Sequence, residues 1–311
     1  MPSAVEPSPS ASGPRPLPVY FIGHAGVGLL FDESPRNHVV QDNLRAIGEE
    51  IRAITPRPKA ILTFSGHFEA SEIHGPGVIE VNVKKGTHIQ HDFVNDFHDS
   101  RPSVYEYEWP HTDAPELAVE VWRHLGRAGI KAKRVERGVD HGVWVPFKLM
   151  FPAEGEDAAP LDVPIVQVST FHGYDLAAQI RLGEAVAALR NEGYLIVASG
   201  MAVHSFEAIA SIRDAATDAE RERVRDLVLA ESRAFDAALR AALAAKGARA
   251  REQALLRLAA DGPALRRCHP TVEHFTPLLV AAGAATDADE AVPLGVNVVE
   301  PGMSYLNVRF A

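Results

Sequence analysis

The chain has 311 residues, 46% hydrophobic and 23% charged, a balance that suits one large globular domain or two small ones. A formal net charge of −10 argues against a general nucleic-acid surface. The single cysteine, Cys268, excludes an intrachain disulfide and fits a reducing, cytoplasmic setting; no apolar run approaches the roughly 20 residues of a membrane helix, so no membrane partner is expected.

Residues 1–17 are rich in Pro and Ser, lack the apolar core of a secretory signal and read as a disordered tail, leaving 18–311 as one domain. PVYFIG (18–23) reads as a short buried strand. Residues 36–54 have helical spacing, with Val39, Leu44, Ile47 and Ile51 along one side. Strands are expected at 59–65 and 78–83, then an irregular loop over 84–112 rich in His, Asp and aromatics. A helix at 114–129 precedes the strand KAKRVE and the loop GVDHGVWVP, with Pro146 opening a short helix. The segment 163–169 reads as a strand, 175–193 as a helix ended by Gly193, and 194–200 as another strand. Residues 214–260 read as two helices broken near Gly247, and 271–283 as a helix capped by Thr271 and ended by Gly283. The chain finishes in two strands around a Pro-Gly turn. Strands alternating with helices predict a single α/β domain with a central, mostly parallel or mixed sheet flanked by helices.

Histidine is frequent: 14 residues against 6 tyrosines. Two apolar runs end in Gly-His, at Gly23-His24 and Gly66-His67, and a third delivers Gly200 and then His204. Ligands of open α/β sheets bind beyond the carboxyl ends of the strands, and glycine there permits a tight turn and a close backbone approach. His24, His67 and His204 could therefore meet at one edge, and converging imidazoles suggest a divalent transition metal. His141 lies between Asp140 and Gly142, where the carboxylate could orient the ring. His269, Glu273 and His274 cluster at a helix start. Adjacent helix positions point about 100° apart, so one of Glu273 and His274 is expected as a ligand and the other as its neighbour.

Taken together, FIGHAG, PRPKAILTFSGHFE, HDF at 91–93, RGVDHGVWVPFKLMFP, VPIVQVS, LRNEGYLIVASGMAVHS and HPTVEHFTPLLVAAGA resemble the class III extradiol ring-cleavage dioxygenases, in particular their 4,5-DOPA dioxygenase-like branch. The resemblance covers most of 18–283. It implies metal binding by His24, His67 and His274, with Glu273 as the alternative third ligand, acid/base work by His204, and a pocket-lining role for His141. It also implies non-haem Fe(II) as the active metal, with Zn(II) as a possible bound metal, and a catecholic substrate, DOPA-like or otherwise substituted, opened by dioxygen to a semialdehyde. Trp144 and Phe68 could wall the ring, and His91, His98 and Arg101 could meet a substrate carboxylate or hydroxyl. The chain departs from the branch after His24, where Ala25-Gly26-Val27 replaces Gly-Ser-Pro, and at Phe68, Ser205 and parts of 84–112. The alternatives are a zinc-dependent hydrolase, in which the same histidines activate a water, and a binding protein on this fold. Segment 214–260 could cover the site or pack against a second subunit in a homodimer.

Overall fold

Strand β1 (Val19–Gly23) leads through a 3-10 turn into α1 (Pro35–Arg52), β2 (Ala60–Glu69), β3 (Val78–Asn82), α2 (Pro115–Arg127), β4 (Lys131–Val135), α3 (His141–Met150) and β5 (Ile165–Thr170). There follow α4 (Leu176–Val186), β6 (Tyr194–Gly200), β7 (Val203–His204), α5 (Phe206–Arg213), α6 (Asp218–Leu243), α7 (Ala248–Ala260), α8 (Gly262–Cys268) and α9 (Thr276–Ala284). The short strands β8 (Ala291–Pro293), β9 (Val299–Glu300), β10 (Met303–Ser304) and β11 (Val308–Phe310) close the chain. The structure, a computed structural model, describes residues 15–92, 105–153, 158–173 and 175–311. Most of the expected tail, together with His98 and Arg101, therefore lies outside the described residues.

The large sheet has the order β4-β3-β5-β2-β6-β1-β11-β8. Its centre, β5-β2-β6-β1, is parallel. β3 meets β5 antiparallel, and β11 and β8 add an antiparallel edge beside β1. The sheet is thus mixed around a parallel centre, as the alternation of strands and helices predicts. Strands β1, β5 and β6 are buried throughout, which is why they read as near-continuous apolar runs rather than alternating ones. On one face Phe21, Phe64, Val168 and Ile196 pack with α4 and α9 through Leu182 and Leu279; on the other Tyr20, Ile22, Ile61 and Leu195 meet α1 and α3 through Leu44, Ile47 and Phe147. A small antiparallel sheet, β7-β10-β9, stands beside the end of β6. Asn307 Oδ1 accepts from Gly23 N–H at 3.0 Å and ties the final strand to the end of β1.

Several boundaries differ from expectation. The inward face of α1 carries Val40, not Val39, with Leu44, Ile47 and Ile51. The loop expected over 138–146 is already helical from His141, with Pro146 inside α3 rather than at its start. Proline lacks an N–H, so it leaves the Gly142 carbonyl without its helical donor; the Ser199 hydroxyl donates to that carbonyl instead. The helix expected from Thr271 begins at Thr276, with Pro277 in its first turn, so His274 sits on the turn that leads into α9. The C-terminal stretch forms four short strands rather than two, with the expected Pro301-Gly302 turn between β9 and β10. The break at Gly247 between α6 and α7 is present, and Phe235, Leu239 and Leu243 bury α6 against its own chain. Among the described residues no helix is long and apolar enough to cross a membrane.

Candidate metal centre

The end of β1 carries His24, the end of β2 His67, β7 His204, the start of α3 His141 and the turn before α9 His274. These five rings converge. Ring centroids lie 5.2 Å apart for His24–His67, 5.1 Å for His24–His274, 4.7 Å for His67–His274 and 3.8 Å for His67–His141. His204 stacks on His274 at 3.6 Å, nearly parallel. The approach depends on missing side chains. A methyl group on Gly200 would overlap the His274 carbonyl oxygen, and one on Gly66 would lie 3.1 Å from the His274 Cα. Ala25, next to His24, has φ 55, the left-handed region that glycine enters most easily.

The hydrogen bonds around the rings fix which nitrogens face the centre. Ser199 spends its proton on Gly142 O, so at 3.1 Å from His24 Nδ1 its oxygen can only accept. His24 therefore carries its proton on Nδ1 and presents a bare Nε2. His274 Nδ1 lies 2.9 Å from Glu273 Oε1, a carboxylate that only accepts, which bares its Nε2 as well. His67 Nδ1 faces Asp92 Oδ2 at 3.8 Å, and its Nε2 lies 3.1 Å from His274 Nε2. Ring nitrogens of the three imidazoles are gathered in one place: ligand atoms of His24, His67 and His274 all lie within 4.8 Å of one another. That donor set fits a divalent transition metal. Burial drives His24 and His274 well below the usual histidine range, His67 down to about 3 and His204 to about 4. All are neutral near pH 7, which is the ligating form.

His269, fully buried, is held to about 4 chiefly by desolvation, and its Nε2–H donates to Ala202 O at 2.9 Å. An unfolded histidine titrates near 6.5. Between about 4 and 6.5 the unfolded chain binds the extra proton, so stability is intact above this window and falls as pH drops through it. For His269 alone the loss reaches about 3 kcal/mol. Denaturant titrations of the metal-free protein across this window should show the fall, and His269→Gln should make it shallower; an unchanged slope would reject the assignment.

Asp140 does not orient His141, contrary to expectation. It is fully buried, accepts from Ser65 Oγ at 2.6 Å and from the Gln167 amide, and has Arg137 Nη2 at 3.6 Å. Ser65 Oγ also accepts from the His67 backbone N–H at 3.1 Å, so this network braces the end of β2. The partner of His141 is Asp92, whose Oδ1 accepts from the His141 backbone N–H at 2.9 Å and lies 3.1 Å from its Nδ1. In sequence Asp92 stands inside the HDF stretch next to His91, and nothing in its spacing marks it as the partner of a histidine 49 residues away. His91 is exposed, faces Tyr107 O at 3.2 Å and does not line the cavity. Trp144 and Phe68 do not wall the site either. Both are buried: the Trp144 Nε1–H donates to Gln90 O, and the Phe68 ring lies 4.0 Å from the Arg137 guanidinium. The walls of the roughly 370 Å³ cavity beyond the histidines include Val27, Leu29, Met201, Phe206, Met303 and Tyr305, with Asp32, Arg36 and Asn37 also contributing.

A family described as "Catalytic LigB subunit of aromatic ring-opening dioxygenase" matches residues 18–311. The chain belongs to the LigB family. LigB-family proteins open aromatic rings as dioxygenases, and this one is an enzyme of that kind. It is 29% identical to the 4,5-DOPA dioxygenase extradiol of Beta vulgaris over 294 residues, covering 94% of this chain and 95% of the relative. It is 29% identical to a 4,5-DOPA dioxygenase extradiol-like protein of Schizosaccharomyces pombe, covering 89% and 88%. The 4,5-DOPA dioxygenase extradiol of Escherichia coli is 28% identical, with 94% of each chain covered. In fold, the chain is similar to the crystal structure of an uncharacterized Escherichia coli K12 protein, with a TM-score of 0.66, 24% identity, and coverage of 95% of this chain and 100% of that one.

In this LigB-family chain Glu273 stands directly behind His274, its carboxylate 2.9 Å from Nδ1. Its carboxylate also accepts from Thr271 Oγ1 at 3.0 Å. Carboxylates behind ligating histidines are worth about 10–100-fold in metal affinity, so Glu273→Gln should weaken Zn(II) binding by ~10-fold or more in a competitive chelator titration. Unchanged affinity would reject this tuning role.

Proposed function

We propose that this LigB-family enzyme is an extradiol dioxygenase that opens a catecholic ring, DOPA-like or otherwise substituted, to a semialdehyde, using a divalent metal held by His24, His67 and His274. The observation that carries the reading is the tautomer pattern: Nδ1 of His24 and of His274 is committed to Ser199 and Glu273, leaving their Nε2 atoms turned toward His67. Glu273 acts through His274 rather than as the third ligand. Fe(II) held by His24, His67 and His274 would supply the redox chemistry that couples a catechol to dioxygen.

The protein's own groups handle protons. His204 is neutral at working pH and lies against His274, so it is placed to take a proton from a catechol hydroxyl and return it later. His141, steered by Asp92, offers Nε2 as a hydrogen-bond partner for a substrate oxygen. The names of the relatives support the catecholic class.

The same three-histidine set also suits Zn(II), which does not change redox state, and a hydrolase would then be the outcome. Metal-free protein loaded anaerobically with Fe(II) or Zn(II) and given catechols with oxygen separates the two. Oxygen uptake and a yellow semialdehyde with Fe(II) alone are expected. Absence of uptake with both metals on every catechol would defeat the reading, and an ester or amide panel with the Zn(II) form would test the hydrolase.

A further inference from the structure

Away from the histidines, the cavity wall carries charge at and just before the start of α1, with Met303 and Tyr305 of the C-terminal segment facing it. Among the described residues that line it, Arg36 brings the one positive charge, against Asp32 and Asp92. The acids are already engaged. Asp92 Oδ1 accepts from His141 N–H, and Asp32 accepts from Ser34 N–H at 3.0 Å through Oδ1 and from Arg36 Nη2 at 3.4 Å through Oδ2.

The donors are less fully used. Arg36 is aimed by Glu300, which receives Nη1 at 2.7 Å, and by Asn37, which receives Nε at 2.9 Å. Its Nη2 makes only the long contact to Asp32 and keeps a hydrogen to give. Tyr305 stands beside it, with the Arg36 guanidinium carbon 6.0 Å from its ring centroid. Tyr305 is 6% exposed and lines the cavity, and among the described residues its hydroxyl has no hydrogen-bond partner.

We propose that Arg36 and Tyr305 form a subsite that reads a carboxylate on the substrate's side chain, which makes them specificity-determining residues. The proposal rests on the catechol reading above. The chemistry follows from the donor set: a guanidinium and a phenol line the same cavity side by side, and a carboxylate accepts from both. The apolar wall between the two ends, with Leu29, Met201 and Met303, suits the aromatic body of such a ligand. Glu300 fixes the fork in place, so little side-chain freedom remains to be lost on binding.

The test is binding rather than turnover. Zn(II)-loaded protein is titrated calorimetrically with caffeate, its methyl ester and plain catechol. Caffeate should bind wild type roughly 10-fold or more tightly than the ester, the scale of a charge-assisted hydrogen bond. Arg36→Met should collapse that ratio toward one, Arg36→Lys should restore part of it, and Tyr305→Phe should lower it by a smaller factor. The phenylalanine variant keeps the cavity's shape and guards against a misfolded Arg36→Met. Equal affinity of wild type for acid and ester, loss across all three ligands alike, or no binding of any of them would overturn the subsite. Oxygen uptake by the Fe(II) form is read separately. A protein that prefers caffeate through Arg36 yet opens no ring keeps the subsite and loses the ring-cleavage reading.

Discussion

His67→Ala should yield a protein that retains no stoichiometric metal after gel filtration and consumes no oxygen with any catechol. Structural zinc sites gather about 10–16 kcal/mol from their ligands, so one imidazole of such a set is worth about 3 kcal/mol, a hundredfold or more in affinity. The loss is aggravated because the His274 Nε2 loses the group it faces at 3.1 Å. His38 provides the control. It lies on the outer side of α1, half exposed and hydrogen-bonded to Glu33 at 2.8 Å, and its alanine variant should bind metal like wild type. If His67→Ala kept full metal affinity, the three-histidine centre would be wrong.

Gly200→Ala should damage the site almost as badly without touching a ligand. The added methyl would collide with the His274 main-chain carbonyl, which also accepts from Met201 N–H at 2.9 Å. Main chain cannot swing aside as a side-chain tip does, so the turn bearing His274 must move. Overpacking of this kind costs about 1–3 kcal/mol in stability, and displacement of one ligand should cost at least 10-fold in metal affinity. Gly126→Ala in α2 is the matched control, since a methyl there meets nothing within 4 Å. It should leave metal binding alone and raise stability by up to ~1 kcal/mol through helix propensity. Equal metal affinity in the two alanine variants would show that close packing at Gly200 is not what positions His274.

The strand ends were the legible part of the molecule. His24 and His67 follow buried runs, and a buried parallel strand in sequence is an unbroken apolar stretch with a fixed direction, so its carboxyl end can be located by eye. His274 and His141 were legible through resemblance, but their local geometry was not. Both sit where a proline resets the backbone: Pro277 opens α9 just after His274, and Pro146 is tolerated inside α3 because a side chain from another strand replaces the missing donor. No spacing rule contains Ser199, 57 residues further along the chain than the carbonyl it serves.

Trp144 and Phe68 were misassigned for a related reason. Aromatic residues near a motif look like pocket walls, whereas both faces of this sheet are covered and both rings went inward. The cavity aromatics that do line the wall, Phe206 and Tyr305, lie on a surface helix and beside a two-residue strand, where periodicity carries no signal.

The tie between Asn307 and Gly23 has a bearing on how the molecule is made. Once the chain up to about residue 290 has emerged from the ribosome, every histidine of the cluster is available to the folding protein, yet β1 still lacks its outer neighbour and the Gly23 amide still lacks its acceptor. Met303 and Tyr305 are also still inside the ribosome, so the cavity has an open side. The candidate ligands are thus together before the substrate wall is complete, and the two are separated by the time needed for the last twenty or so residues to emerge and dock.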